Sequence, residues 1–224
     1  MLPTLKLSRS KIELFLDCPR CYWLDAHKIN SRPAPMPYTI NSAIDFLLKR
    51  EFDECRHNDL EHYLIKKYKI DAKPYNGEKM DEWRHNFTGV QHQHASSGFL
   101  VFGAVDDVWV NSLGELMVVD YKATGAREHR IYDSYKRQME VYQWLLRQNG
   151  YKVSSTGYFL FAKVNKEKKF DNGQLNFDLY LEPCLGDSSW VEEAIVAARQ
   201  CYNAKSKPAV SQECTYCNYV AAAK

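Results

Sequence analysis

Between Gly98 and Ala123 the chain reads GFLVFGAVDDVWV, then the turn signal Asn111-Ser112-Leu113-Gly114, then ELMVVDYKA. Two apolar runs joined by a short glycine-containing turn read as a β-hairpin, and no other segment constrains the fold as much. The second strand is built for a core until Asp120, where an acid and, two residues on, a base interrupt it. Side chains two apart on a strand share a face, so Asp120 and Lys122 point the same way. An ion pair at a strand end is one reading of them. The partner strand supplies another, because Gly103-Ala104-Val105-Asp106 places a second acid there, followed at once by Asp107, and the turn brings one of these beside Asp120. Carboxylates that close repel, and the arrangement is tolerated mainly when a cation sits between them. Mg²⁺ or Mn²⁺, held by two acids, waters and a substrate phosphate, resolves the conflict; the alternative is that Asp106 and Asp107 are solvated strand-end acids. Beside such a metal, Lys122 stabilises an attacking hydroxide or the charge developing on phosphorus.

The flanking segments follow helical periodicity. Ser10-Lys11-Ile12-Glu13 fits a capping box for a helix through KIELFLDCPRCYWLDAH, with Pro19 as a kink or interruption. The three alternate prolines of SRPAPMPYT make an extended connector. The segment NSAIDFLLKREFDECRH repeats apolar residues at helical spacing, and NDLEHYLIKKYKI is a third amphipathic segment. After the hairpin, a helix at about Ser134 to Gln148 carries Gln138 and Tyr142 four apart on one face. Two further strands, VSSTGYFLFAKV and QLNFDLYLE, and a last helix at roughly Ser189 to Ala204 complete the order. The histidines of QHQH at 91–94 read as a loop or an edge rather than a metal site.

At 224 residues, 45% hydrophobic and 26% charged, the chain has material for one substantial core. A formal net charge of +2 neither demands nor excludes a nucleic-acid partner, although Lys163 to Lys169 holds four lysines. No stretch reaches the ~18–20 apolar residues of a membrane helix, and MLPTLKLSRSK lacks the apolar core of a signal peptide. The expectation is a cytoplasmic protein with no membrane partner. Seven cysteines there are read as thiols or metal ligands rather than disulfides. Two C-x-x-C pairs stand near opposite ends, while Cys55, Cys184 and Cys201 lack partner spacing and are simplest as core thiols.

Taken together, Gly103-x-x-Asp106, Asp120-Tyr121-Lys122, the Gln138-x-x-x-Tyr142 helix, and CPRCYW near the N-terminus set against CTYCNY near the C-terminus resemble the PD-(D/E)XK nucleases. Within them the likeness is to the RecB-like branch that includes the CRISPR-associated exonucleases with a cysteine-bound iron–sulfur cluster. The motifs run in order from about residue 8 to 219. The resemblance implies that Asp106 and Asp120 bind the catalytic Mg²⁺ or Mn²⁺, that the Tyr121 carbonyl adds a ligand, and that Lys122 is the base or electrostatic stabiliser. It implies that Gln138 and Tyr142 orient the lysine or contact the DNA backbone. Where the branch has a histidine in its first core helix, this chain offers Asp45, with Glu51 as the competing choice.

The cysteines depart from that pattern. Relatives with the cluster have one N-terminal cysteine and three near the C-terminus, and here the tail CNYVAAAK lacks the last of them. With Cys21 in its place, Cys18, Cys21, Cys214 and Cys217 make a paired C-x-x-C site that joins the chain ends, suited to a [4Fe–4S] cluster or to tetrahedral Zn²⁺.

The expected fold is therefore α/β, a restriction-endonuclease-like core whose mixed β-sheet is flanked by helices, with the terminal segments joined by a cysteine metal site. Residues 1–224 are expected to form one nuclease-like domain, with 1–40 and 205–224 as its cysteine-ligated subregion. The expected function is metal-dependent hydrolysis of single- or double-stranded DNA, by exonuclease or endonuclease action, in repair, recombination or phage- or CRISPR-type DNA processing. The alternatives are a non-catalytic nucleic-acid-binding module with a structural zinc or iron–sulfur site, which intact Asp106, Asp120 and Lys122 oppose, and a redox-responsive regulator, which leaves GAVDDVWV unexplained.

Overall fold

The computed structural model describes residues 5–223 apart from 35 and 37. The first half runs β1 (Leu5–Ser8), α1 (Arg9–Asp17), α2 (Pro19–Ala26), α3 (Thr39–His57), α4 (Tyr63–Tyr68), β2 (Lys73–Pro74), α5 (Met80–Arg84) and β3 (Val90–Gln93). The second half runs β4 (Phe99–Gly103), β5 (Asp107–Val110), β6 (Leu116–Thr124), α6 (Asp133–Gln148), β7 (Thr156–Val164), β8 (Phe177–Leu185), α7 (Trp190–Asn203) and α8 (Thr215–Ala222). The α/β class is as expected, with the mixed sheet present as two: a three-stranded sheet ordered β1-β4-β3 and a five-stranded sheet ordered β2-β5-β6-β7-β8. Among the described residues no helix is long and apolar enough to cross a membrane.

The expected hairpin is β5–β6, antiparallel with Asp107 opposite Val119. The run from Gly98 is not one strand, however. It breaks after Gly103, and β4 joins the small sheet, where it lies parallel to β1 and antiparallel to β3. The break has a local cause. The Val105 amide leaves the ladder to donate to the carbonyl of Trp83 at 3.0 Å, and a Cβ on Gly103 would stand 2.6 Å from the Tyr142 ring. Glycine alone permits that approach.

Strand β6 pairs parallel with β7, from Val119 opposite Tyr158 to Thr124 opposite Lys163. Parallel neighbours need a crossover, and α6 is that crossover. Alternation along β6 sends Leu116 and Val118 into one core with Met139, Tyr142, Leu145 and Phe159, and Met117, Val119 and Tyr121 into a second with Phe52, Trp109 and Leu160. Helix α6 covers the first face and α3 the second, so the five-stranded sheet is buried between helices.

Two local expectations are corrected. The cap of α1 is Ser8, whose Oγ accepts from the Lys11 amide, not Ser10, because β1 holds Ser8 opposite Phe102 and the chain turns directly from strand into helix. The helix through CPRCYW is two helices: Cys18 is extended, and Pro19 opens α2 at a position where its missing amide costs nothing. Helix α8 and β1 carry no strong sequence period and are additional to the expected elements, whereas QHQ at 91–93, read as a loop or an edge, forms the edge strand β3 of the small sheet. Of the connector prolines, Pro35 and Pro37 lie outside the described residues.

Candidate active site

Four elements converge at the point where β5 begins and β6 passes its buried run. Asp106 stands just before β5, Asp120 and Lys122 on β6, Gln138 and Tyr142 on α6, and Asp45 on α3. Asp120 and Lys122 share the face that α6 covers, as the period of two requires. Asp120 is fully buried, ion-paired with Lys122, and its Oδ1 accepts from Gln138 Nε2 at 2.8 Å. The same Gln138 nitrogen lies 3.1 Å from the Tyr142 hydroxyl. Gln138 is thus bound to the acid; the resemblance implies that it orients the lysine or contacts the DNA backbone. Lys122 also lies over the Tyr135 ring, 4.7 Å from its centroid, which shields the ammonium from water and directs it at Asp120.

Asp106 is held from β6: the Tyr121 amide donates to its Oδ2 at 2.9 Å. Its other oxygen lies 3.6 Å from Lys49 Nζ, and Lys49 is 2.8 Å from Asp45 one helical turn away. Lys49 thus links Asp45 to Asp106 across the gap between α3 and the hairpin. Glu51 takes a different partner, His62 Nε2 at 2.9 Å, and is turned away from the acids. Of the two competing acids, the structure brings Asp45 to the cluster.

Asp107 is not a solvated acid. It is fully buried and accepts from Arg84 Nη2 at 2.8 Å, from its neighbour Val108 N at 2.8 Å, from the Tyr121 hydroxyl at 2.7 Å, and from Arg56 Nη2. Arg84 and Arg56 also share Asp53, and Arg84 Nε donates to the carbonyl of Asp106 at 3.0 Å. This buried network anchors the turn on which Asp106 stands.

The electrostatics suit a cation. Burial first, and then the charge of Asp106, push the Asp120 carboxyl up to about 7, against the pull of Lys122 and Arg9. Burial and Asp106 likewise raise Asp45, with Lys49 opposing. Asp120 Oδ2 is paired with the Lys122 ammonium. The carboxylates of Asp45, Asp106 and Asp120 are hard oxygen donors, the chemistry a divalent ion takes. The carboxylates are loosely gathered. Among the described residues only Cys18, Cys21, Cys214 and Cys217 bring three or more metal-capable atoms within 4.8 Å of one another.

That quartet lies at the meeting of α1, α2 and α8. Cys18, Cys21 and Cys214 are buried and Cys217 half-buried, with Leu14 and Val210 packed against them. Each C-x-x-C opens a helix, Cys18 preceding α2 and Cys214 capping α8. Burial raises the Cys18 thiol, but hydrogen bonds from the Ser211 and Cys21 backbones outweigh it and leave it at about 7. Arg32 Nη2 donates to Cys214 Sγ at 3.2 Å. Of the other thiols, Cys184 is buried and Cys55 and Cys201 are partly so; none of them belongs to the quartet, although Cys201 Sγ lies 3.5 Å from the carbonyl of Pro19 beside it.

The residues missed from sequence are Lys49, Arg56 and Arg84. Lys49 had a findable signal, its four-residue spacing from Asp45; Arg56 and Arg84 reach Asp107 only through tertiary folding.

The model of the PD-(D/E)XK nuclease superfamily matches residues 6–222. No curated protein matches the chain. Among solved structures it is similar to SSO0001, at 11% identity and a TM-score of 0.47 over 99% of this chain and 86% of that one. It is also similar to a "Putative exonuclease" from Eubacterium rectale, at 14% identity and a TM-score of 0.46 over 96% and 88%.

Proposed function

The chain belongs to the PD-(D/E)XK nuclease superfamily, and on that premise we propose that it is a divalent-metal-dependent deoxyribonuclease. The reading takes residues 1–224 as one nuclease-like domain, with 1–40 and 205–224 as its cysteine-ligated subregion. Its substrate is DNA, single- or double-stranded, cleaved as an exonuclease or endonuclease in repair, recombination or phage- or CRISPR-type processing. The observation that carries the reading is the convergence of Asp106, Asp120 and Lys122 where β5 meets β6.

Asp106, Asp120, Asp45 and the Tyr121 carbonyl are the groups that would hold Mg²⁺ or Mn²⁺. When bound, such an ion supplies Lewis acidity toward the phosphate and the attacking water. Gln138 fixes the rotamer of Asp120 through Oδ1, while Oδ2 takes the ion pair with Lys122. The Tyr121 amide does the same for Asp106. In hydrolysis a bond forms from water oxygen to phosphorus, one ester bond breaks, and the leaving oxygen gains a proton. Lys122, pressed between Asp120 and the Tyr135 ring, offsets negative charge as the water loses its proton and as charge builds on phosphorus. Tyr142, beside Gln138, completes the hydrogen-bonded wall of the site.

The reading is tested by incubating purified protein with end-labelled single- and double-stranded DNA in Mn²⁺, in Mg²⁺, or with a chelator. The expected result is cleavage with added metal and none with chelator. Intact DNA under all conditions would remove the enzymatic reading and leave nucleic-acid binding without catalysis.

A further inference from the structure

We propose that the four cysteines hold a single tetrahedral ion, Zn²⁺, rather than an iron–sulfur cluster, and that Arg32 is its charge-balancing hydrogen-bond donor. This rests on reading the quartet as a metal centre and is independent of whether the chain cleaves DNA.

The sulfur spacing decides the matter. Cys18 and Cys217 Sγ are 3.9 Å apart, Cys21 lies 3.6 Å from both Cys214 and Cys217, and all four sulfurs fall within 4.8 Å of one another. Four thiolates around one ion, with zinc–sulfur bonds of about 2.3 Å, form a tetrahedron whose edge is about 3.8 Å. A [4Fe–4S] cube gives each thiolate its own iron. Every sulfur–sulfur edge then lengthens by a whole iron–iron separation over the single-ion value. The upper bound of 4.8 Å leaves only about 1 Å for that separation, too little for two distinct iron atoms.

The adjoining empty space does not supply the missing room. A cavity of about 480 Å³ borders the quartet, but it is lined by Cys21 and Cys217 and not by Cys18 or Cys214, so it lies beside the sulfurs and not among them. Leu14 and Val210 pack directly against the quartet, and Val210 also lines the cavity.

Charge balance assigns Arg32. A divalent ion with four thiolates carries two net negative charges. Arg32 donates to Cys214 Sγ at 3.2 Å, pairs with Asp17, and lies over the Tyr216 ring with 4.9 Å to its centroid. Asp17 immediately precedes Cys18 and Tyr216 stands between Cys214 and Cys217, so one guanidinium spans both halves of the site. It is a positioning residue: it touches a ligand sulfur and sets the electron density there.

The full-length protein, produced in cells supplied with both iron and zinc and purified without oxygen, is analysed for metals, acid-labile sulfide and visible absorbance. One zinc per chain and a colourless solution are expected. Brown protein with about four irons and four sulfides per chain, or a single iron, would overturn the assignment while keeping a metal centre; neither metal would overturn the centre itself. For Arg32, replacing zinc by Co²⁺ gives thiolate-to-metal bands that report the sulfur donors directly. Arg32→Gln is expected to shift these bands and to raise the rate of metal loss to a chelator about tenfold, with Arg32→Lys recovering part of both. Spectra and loss rates equal to those of the wild type would remove Arg32 from the centre.

Discussion

Tyr121 donates its hydroxyl to Oδ2 of Asp107 at 2.7 Å on one face of the five-stranded sheet, while its backbone amide donates to Asp106 at 2.9 Å. One tyrosine thereby sorts two consecutive acids, Asp107 into a buried cation network and Asp106 toward Asp120. It also explains why an aromatic residue stands between Asp120 and Lys122. Its ring fills the second core beside Phe52, at 5.8 Å between centroids, while the acid and base on either side point to the other face.

Asp107→Ala leaves Arg56 and Arg84 with only the partly exposed Asp53 as a shared carboxylate, and breaking one side of such a buried network costs about 3–5 kcal/mol. Tyr121→Phe removes one hydrogen bond and should cost about 1 kcal/mol. Urea denaturation of the two variants checks both magnitudes. An Asp107→Ala variant as stable as the wild type would mean that the network does not anchor the turn.

The legible part of the site was the local part. Asp120 and Lys122 share a face because of the strand period, and Gln138 and Tyr142 because of the helix period; both operate within five residues of sequence. The strand pairing alone left the choice between Asp106 and Asp107 open, and only the family resemblance implied Asp106. The choice is made by Arg56 and Arg84, 51 and 23 residues away from Asp107, and by a hydrogen bond from Tyr121. The break after Gly103 was hidden for the same reason, since its partners are Trp83 and Tyr142. Strand β1 has four residues and pairs with β4 more than ninety residues later in the chain, so no local period announces it. The cysteine spacing was plain, but its closure spans 199 residues and the choice of metal depends on sulfur distances that spacing does not contain.

Asp45→Asn should weaken Mn²⁺ binding by removing one charged hard ligand, and Glu51→Gln should leave it unchanged because that side chain is occupied by His62. Isothermal titration of both variants separates the two acids. Equal affinities for Asp45→Asn and the wild type would return Asp45 to a purely structural pairing with Lys49.

In buffer without added divalent ion, stability should fall as pH rises from about 4 to about 7. Over that interval the unfolded chain has released the Asp120 proton and the folded chain has kept it, because burial and Asp106 hold the folded carboxyl at about 7 against an ordinary 3.8. The folded state therefore binds more protons, and the slope of unfolding free energy with pH is negative. Melting curves of wild type and Asp120→Asn across this range isolate the contribution: the variant's profile should be flatter, and Mn²⁺ should restore wild-type stability at the upper end. Parallel profiles would assign the pH dependence to other groups.

The central claim is that Asp120 holds the catalytic ion and Lys122 acts on the reaction it supports, and paired measurement of Mn²⁺ affinity and DNA cleavage in Asp120→Ala and Lys122→Ala tests it most directly. The account expects both variants to fold and both to lose at least about 100-fold in cleavage rate, with Mn²⁺ binding weakened in Asp120→Ala and kept in Lys122→Ala. Wild-type cleavage by either folded variant would contradict it.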